Sequence, residues 1–409
     1  MRVTVQFGDD SAEFDIADDR WVAVHGAPPT ERVQNVAAAV ADAIESPIDF
    51  PPLRQAVVPG DHVAIVLDDS VPRAADVLGP IVECLRGAEV QPHDIHVVAV
   101  PSLSGEPNRV TPDALPHGIQ LVLHDPHDRG RLSYLAATKD GLRVYLNRNV
   151  VDAELVILAG RVDFDPILNF AGTSSGFYPG LVDADARRAF RSLIHQPITR
   201  DIQQAARRQA DEIAWLLGVQ FAIQLVAGSR EEAIAVLAGE CAAVQREGQR
   251  RLQDAWRRRA ARRPELVIAA ISGSSRSQSF DDLGRVLELA SGLVREGGRV
   301  AVLSAIGAEP GPALKSARQL QAPAKVLEHL RKSPGDDVIS TRQIARACQL
   351  ARVYLLSRLD NGLVEDLGAT PLASPAEAQR LADQVESCLV LGDAQLARVS
   401  VEGDDDDFH

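Results

Sequence analysis

The chain has 409 residues, long enough for two domains, and its 45% hydrophobic and 24% charged residues make an ordinary globular composition. A net charge of −14 argues against nucleic acid or an anionic membrane surface as the main partner. Cys84, Cys241, Cys348 and Cys388 form no CxxC pair and each sits in a helical-looking stretch, so they read as small core residues of a reducing compartment, not as disulfides or a zinc site. The start, Met1 to Phe7, has no signal-peptide core, and no run of about 18 apolar residues occurs. A cytoplasmic protein without a membrane span is expected.

In chain order, Val3, Val5 and Phe7 alternate before the turn Gly8-Asp9-Asp10, and Phe14 and Ile16 follow, which predicts a hairpin. Helical spacing runs from Thr30, a candidate N-cap, to Ile44. Val63 to Leu67 reads as a buried strand, and Arg73 to Leu85 as the next helix. Further strands are predicted at Ile95 to Val100, Ile119 to Leu123, Val144 to Leu146 and Leu155 to Ala159, the last stopping at Gly160. Alternation of strands with helices and loops argues for an α/β fold with a largely parallel sheet. Three strand-end loops stand out, 68–73, 101–108 and 160–180.

The third loop holds Gly172-Thr-Ser-Ser-Gly176, followed by Tyr178-Pro-Gly180 and a helical pattern near Asp183. Small residues between a strand and a helix let backbone N–H groups approach an anion closely. The spacing is neither Walker nor GxGxxG. The loop is either a wide connection rich in turn formers or a cradle for phosphate or carboxylate.

Residues 199–259 read as helical apart from a short strand, Val219 to Val226. The arginine-rich run Arg246 to Arg263 is a nucleic-acid or partner contact or a solvated linker helix, and the acidic total favours the linker. A second α/β unit begins with the strand Leu266 to Ile271. It continues through the loop Ser272 to Ser279, a helix from Asp281 to Arg295, the turn Gly297-Gly298 and strands at Val300 to Leu303, Val353 to Leu356 and Ala397 to Val401. The boundary falls near 262–265. The domains are then 1–262 and 263–403, with 404–409 a disordered acidic tail.

Several segments carry a resemblance: Glu45 to Arg54, Pro59 to Asp69, His124-Asp-Pro-His-Asp with Leu132-Ser-Tyr-Leu, Gly141 to Asn149, the loop 160–180, and Ser272 to Ser279 with Gly297-Gly298. Together and in this order the chain resembles the nickel-dependent lactate racemase family, essentially end to end. The resemblance implies two α/β domains with mixed, mainly parallel sheets facing a cleft. It also implies a nickel-pincer nucleotide tethered through a lysine of the loop matching 160–180, two proton-accepting histidines and a nickel-ligating histidine. Imidazole titrates near neutral pH and can take and return a hydroxyl proton, while the cofactor carries the hydride. A bidentate arginine suits the substrate carboxylate.

The sequence departs from that pattern. The family's Asp-x-Thr-Arg-Pro stands here as Asp69-Ser70-Val71-Pro72-Arg73. No histidine lies between His96 and His117 or between His127 and His195, and no lysine between Lys139 and Lys315. Both proton acceptors and the tether are therefore missing. His195 falls near the family's nickel histidine and is otherwise an ordinary partly buried helix residue. The family's Gln-x-x-Lys pair falls on Asp282 and Arg285. His124-Asp125 keeps its motif, as a strand-end histidine.

The expected site thus comprises Arg73, Arg285 and Asp282 for a substrate anion, and Asp69, Ser70, Gly172, Ser174, Ser175 and Gly176 for a cofactor or nucleotide. His195 and Tyr178 are candidates for acid–base work, His195 also for metal. Three readings follow. The first is a divergent member that binds a small anion, either a 2-hydroxy acid or a nucleotide. The second is an active 2-hydroxy acid racemase or epimerase with a non-covalent nickel-pincer-type cofactor. The third is another reaction using Tyr178, His195, Asp69 or Arg285.

Overall fold

The computed structural model describes residues 2–26, 31–68, 70–100, 110–111, 115–193, 198–229, 232–275, 278–320, 323–330 and 337–403, apart from the side chains of Gln319 and Pro323. The chain divides into two compact units, one made of Met1–Pro29 and Ala255–His409, the other of Thr30–Asp254. They are called here the split unit and the inserted unit.

The chain opens with the expected hairpin. Strands β1 (Arg2–Phe7) and β2 (Asp10–Asp15) pair antiparallel around Gly8. Val5, Phe7, Ala12 and Phe14 are buried, as the period of two along each strand requires. Strand β3 (Trp21–His25) follows, in a stretch where no strand was expected.

The inserted unit starts with helix α1 (Val36–Glu45). Its cap is Asn35, whose side chain accepts the Ala38 N–H at 3.0 Å, so the helix begins later than Thr30; Thr30 lies outside the described residues. Next come β4 (Val63–Leu67), α2 (Ala74–Gly87), β5 (Ile95–Ala99) and β6 (Gln120–Leu123). An antiparallel hairpin, β7 (Leu132–Ala137) and β8 (Arg143–Asn147), and helix α3 (Arg148–Val151) lead to β9 (Leu155–Val162). The loop beyond holds the short ladder of β10 (Phe164–Asp165) and β11 (Asn169–Phe170). Helices α4 (Ala184–Ser192) and α5 (Arg200–Leu217), strands β12 (Phe221–Ala227) and β13 (Ala233–Glu240), and helix α6 (Cys241–Trp256) complete the unit.

Two expectations are corrected here. Strand β9 does not stop at Gly160 but runs on to Val162, with all eight residues buried. Residues 233–240, read as helix, form β13. Their alanine-rich composition hid a strand that pairs antiparallel along β12.

The split unit resumes with β14 (Arg257–Ala260), β15 (Leu266–Ala270), α7 (Phe280–Leu293) and β16 (Arg299–Leu303). Then follow α8 (Pro312–Ala317), α9 (Pro323–His329), α10 (Val338–Leu350), β17 (Arg352–Leu356), α11 (Asn361–Asp366) and β18 (Thr370–Leu372). Helix α12 (Pro375–Asp383) and strands β19 (Cys388–Leu391) and β20 (Arg398–Val401) close it. The arginine run was expected to be one linker helix; it ends α6 and forms β14, which pairs with β20. Cys388 lies on a strand, not a helix, and all four cysteines are free thiols.

Each unit carries a six-stranded sheet. In the inserted unit the order is β13-β12-β9-β4-β5-β6, parallel except for β13. In the split unit it is β18-β17-β16-β15-β19-β3, parallel throughout. The fold class is therefore α/β, with two units and mainly parallel sheets, as expected. Parallel strands covered on both faces read as continuous apolar runs, which is why Val63 to Leu67 and Leu266 to Ala270 are buried at every position.

The first domain was expected to span 1–262, but its first stretch packs in the other unit. Strand β3 pairs with β19, and the Gln379 amide holds both backbone groups of Asp15, at 2.8 and 3.0 Å. The acidic tail 404–409 lies outside the described residues.

Candidate functional site

In the inserted unit the chain passes from β4 to β5 and β6 on one side, then returns to place β9 and β12 on the other. In open α/β sheets, ligands bind beyond the carboxyl ends of the strands at such a reversal. Here that point lies between β4 and β9. The end of β4 is tied to β9, three residues before the end of β9, where the Asp68 N–H donates to the Ala159 carbonyl at 2.9 Å. Loops 68–73 and 163–183 leave from these ends, so the sheet brings together two of the segments singled out in the sequence. Loop 101–109 and Asp69 lie outside the described residues, as does His195.

On the β4 side, the Asp68 carboxylate accepts the Ser70 N–H at 2.8 Å, and Val71 is buried. Arg73 is the N-terminal flank of α2 and takes a left-handed conformation, with φ 52° and ψ 51°. Its side chain is 65% exposed, and the guanidinium contacts the Asp76 carboxylate at 2.5 Å. An exposed ion pair of this kind adds little stability, and an incoming anion can compete for the guanidinium.

On the β9 side, the Asp165 carboxylate turns the chain by accepting the Ile167 and Leu168 N–H groups at 2.8 and 2.6 Å. The chain then enters a turn at Gly172 to Gly176. Gly172 has φ 102° and its N–H donates to the Ser175 hydroxyl at 3.0 Å. Thr173 donates its hydroxyl to the Gln245 side chain at 2.7 Å, and Ser174 donates to Asp211 at 2.6 Å. Arg207 on α5 donates to the Phe170 carbonyl at 2.9 Å and to the Thr173 hydroxyl at 3.3 Å. The turn packs over β9 and β4: a Cβ on Gly176 would stand 2.7 Å from a Leu158 methyl and 3.7 Å from a Val66 methyl. The hydroxyls of Ser174 and Ser175, both expected to serve a ligand, are thus engaged with their own protein, as is that of Thr173.

Tyr178 is 2% exposed and sits edge-on to Phe190, with ring centroids 5.4 Å apart. Burial pushes its phenol up to about 12, so it holds its proton at neutral pH. His124, at the end of β6, is 6% exposed, with Nε2 3.1 Å from the Val182 carbonyl and Nδ1 3.5 Å from the Asn147 amide nitrogen. The carbonyl requires Nε2 to carry the proton. Burial first, and Arg187 nearby, lower its pKa to about 4 against the backbone bond and Asp125. It is a neutral, structural imidazole.

Asp282 and Arg285 belong to the split unit, on α7. Asp282 is buried and completes a capping box: its carboxylate accepts the Ser279 N–H and hydroxyl at 2.9 and 3.0 Å. Arg285 is half-buried on the same helix and has interactions of its own. Among the described residues no cluster of three or more His, Cys, Asp or Glu side chains could hold a metal ion. No helix of the described residues is long and apolar enough to cross a membrane.

Sequence reading missed Gln224. It is fully buried in β12, beside Gly160 of β9, and its amide reaches Gly172. One polar residue inside the apolar run Phe221 to Ala227 was the available signal.

Residues 7–199 match the family described as the lactate racemase N-terminal domain. Among solved structures, the lactate racemase apoprotein from Thermoanaerobacterium thermosaccharolyticum is similar with a TM-score of 0.81 and 16% identity, over 98% of this chain and 100% of that one. A Thermotoga maritima protein is similar with a TM-score of 0.64 and 11% identity, over 92% of this chain and 100% of that one. No curated protein matches the chain in sequence.

Proposed function

Because this chain belongs to the lactate racemase family through its residues 7–199, we propose that it binds a small anionic ligand, a 2-hydroxy acid or a nucleotide, at the strand-end crevice of the inserted unit. The observation that carries this reading is Arg73. It stands at the reversal of strand order, its side chain 65% exposed and its guanidinium, among the described residues, paired with the Asp76 carboxylate. A charge-assisted bond from an arginine to a carboxylate or phosphate is among the stronger polar contacts available.

The family's nickel-pincer nucleotide does not fit the residues present. The loop that would tether it has no lysine, since none lies between Lys139 and Lys315. The hydroxyls of Thr173, Ser174 and Ser175 are committed to Gln245, Asp211 and Gly172. Tyr178 is too buried, with its phenol near 12, to take over proton transfer at neutral pH. An active racemase using that group non-covalently is therefore the weaker reading.

The experiment is calorimetry of wild type and Arg73→Ala against mononucleotides, lactate, malate and uronates. Loss of a charge-assisted contact of about 1.5–3 kcal/mol weakens binding by roughly 10- to 100-fold. Binding should also weaken as salt rises, because the guanidinium is exposed. No binding by wild type to any of these, or equal affinity in the variant, would defeat the proposal.

A further inference from the structure

Gln224 is an anomaly in the core of the inserted unit. It lies within the sheet at 0% exposure, and neither its amide nitrogen nor its amide oxygen has a hydrogen-bond partner among the described residues. Buried amides are normally paired, and one left unpaired costs the full loss of its hydration. A leucine or methionine would fill the same space without that cost.

The surroundings are shaped around the amide. A Cβ on Gly160 would stand 2.8 Å from its Nε2, and one on Gly172 would stand 2.7 Å from its Oε1. Two glycines, one on the neighbouring strand and one at the head of the turn, make the room. The amide is thus pressed against two bare Cα positions that offer it no hydrogen bond.

The turn above has its own strain. Thr173 holds φ 44°, a left-handed conformation that a β-branched residue seldom adopts. Side-chain bonds keep the turn down: Thr173 to Gln245, Ser174 to Asp211, and Arg207 to the Phe170 carbonyl. Strain in the turn and an unpaired group beneath it meet at one contact, Gly172 on Gln224. A lifted turn would free the threonine from this conformation and open the amide to partners.

We propose that the turn 172–175 is a movable cover and that Gln224 is a concealed hydrogen-bonding group beneath it, uncovered when the turn lifts at the β9 end of the crevice. Uncovered, it presents a donor and an acceptor side by side. That pair suits a neutral polar group such as a hydroxyl, leaving an anion to Arg73. The proposal rests on the crevice being the binding site, but its test needs no ligand and so can fail separately from that reading.

The test compares wild type with Gln224→Met and Gln224→Leu by thermal unfolding and by hydrogen exchange at the Gly172, Ser175, Phe177 and Tyr178 amides. Each of these amides donates a bond within the turn or just after it. Removing the unpaired amide stabilises the closed turn. The melting temperature should rise by roughly 2–10 °C. Exchange at the four amides should slow by about tenfold or more, while the amides of β15 in the split unit keep their rates. Variants that melt lower than wild type or fail to fold would show that the amide is paired in solution and overturn the proposal. Unchanged exchange at the four amides would overturn the cover.

Discussion

Ser174 and Asp211 join the turn after β9 to helix α5, the serine hydroxyl donating to the carboxylate across 2.6 Å. Asp211 also lies 3.3 Å from the Arg207 Nε, so one carboxylate steadies both the turn and the arginine that grips it. Ser174→Ala removes the hydroxyl and keeps the fold. Because the Asp211 side chain is 46% exposed, water replaces part of the lost bond. The cost should be about 1 kcal/mol, below the 1.5–3 typical of bonds to charged groups. Urea unfolding measures it, and a loss above about 3 kcal/mol would mean that the bond is more deeply buried.

His124 gives the protein an acid-side instability. Its folded pKa, about 4, lies below the 6.5 of a free imidazole. Above pH 6.5 both folded and unfolded states are neutral here, and its contribution is complete. As pH falls from 6.5 towards 4, the unfolded chain binds a proton that the folded one refuses, so stability is lost in that window. At 1.36 kcal/mol per unit the loss reaches about 3 kcal/mol. His124→Gln should flatten this part of the pH profile relative to wild type, whatever its fixed cost. Parallel profiles for the two proteins would show that His124 is not what titrates.

Gly239 tests the strand that sequence reading missed. It has φ 138°, and a Cβ there would stand 2.1 Å from the Ile48 carbonyl oxygen. That residue bridges β13 through Ile48 N–H to Ala238 O and Glu240 N–H to Ile48 O, at 2.8 and 2.9 Å. Neither backbone can yield without breaking those bonds. Gly239→Ala should therefore cost about 3 kcal/mol or more. An alanine variant as stable as wild type in denaturant would put β13 elsewhere.

Co-expression with enzymes that make the nickel-pincer nucleotide should leave the intact mass of the purified protein equal to that of the bare polypeptide. The loop that would tether the group has no lysine. A stable adduct of nucleotide size on any residue of 160–180 would reverse the conclusion that the group does not fit.

The parts of the fold most visible in sequence were those with one-dimensional signatures. Strands such as Val63–Leu67 are apolar runs because both faces are covered, and the N-cap Asp183 announces its helix. Strand β13 was missed because Ala233–Glu240 carries small residues that fit a helix as well. Gly160 was read as a stop because nothing local reveals that a glutamine on the next strand needs the space above it. The site was legible as loops, not as contacts. Ser174 and Ser175 could be named, but their partners, Asp211 on α5 and Gly172 in the turn itself, depend on where the chain folds back.

The pairing of β3 with β19 has a consequence for how the chain is made. Trp21–His25 is synthesised long before its neighbour Cys388–Leu391. At about 5–20 residues per second, the early strand waits roughly 20–70 s for a partner. Throughout that wait, the contiguous stretch Thr30–Asp254 can complete its own sheet. Nascent chains stalled before residue 388 should therefore protect the middle of the protein from protease while leaving its first strands open to cleavage.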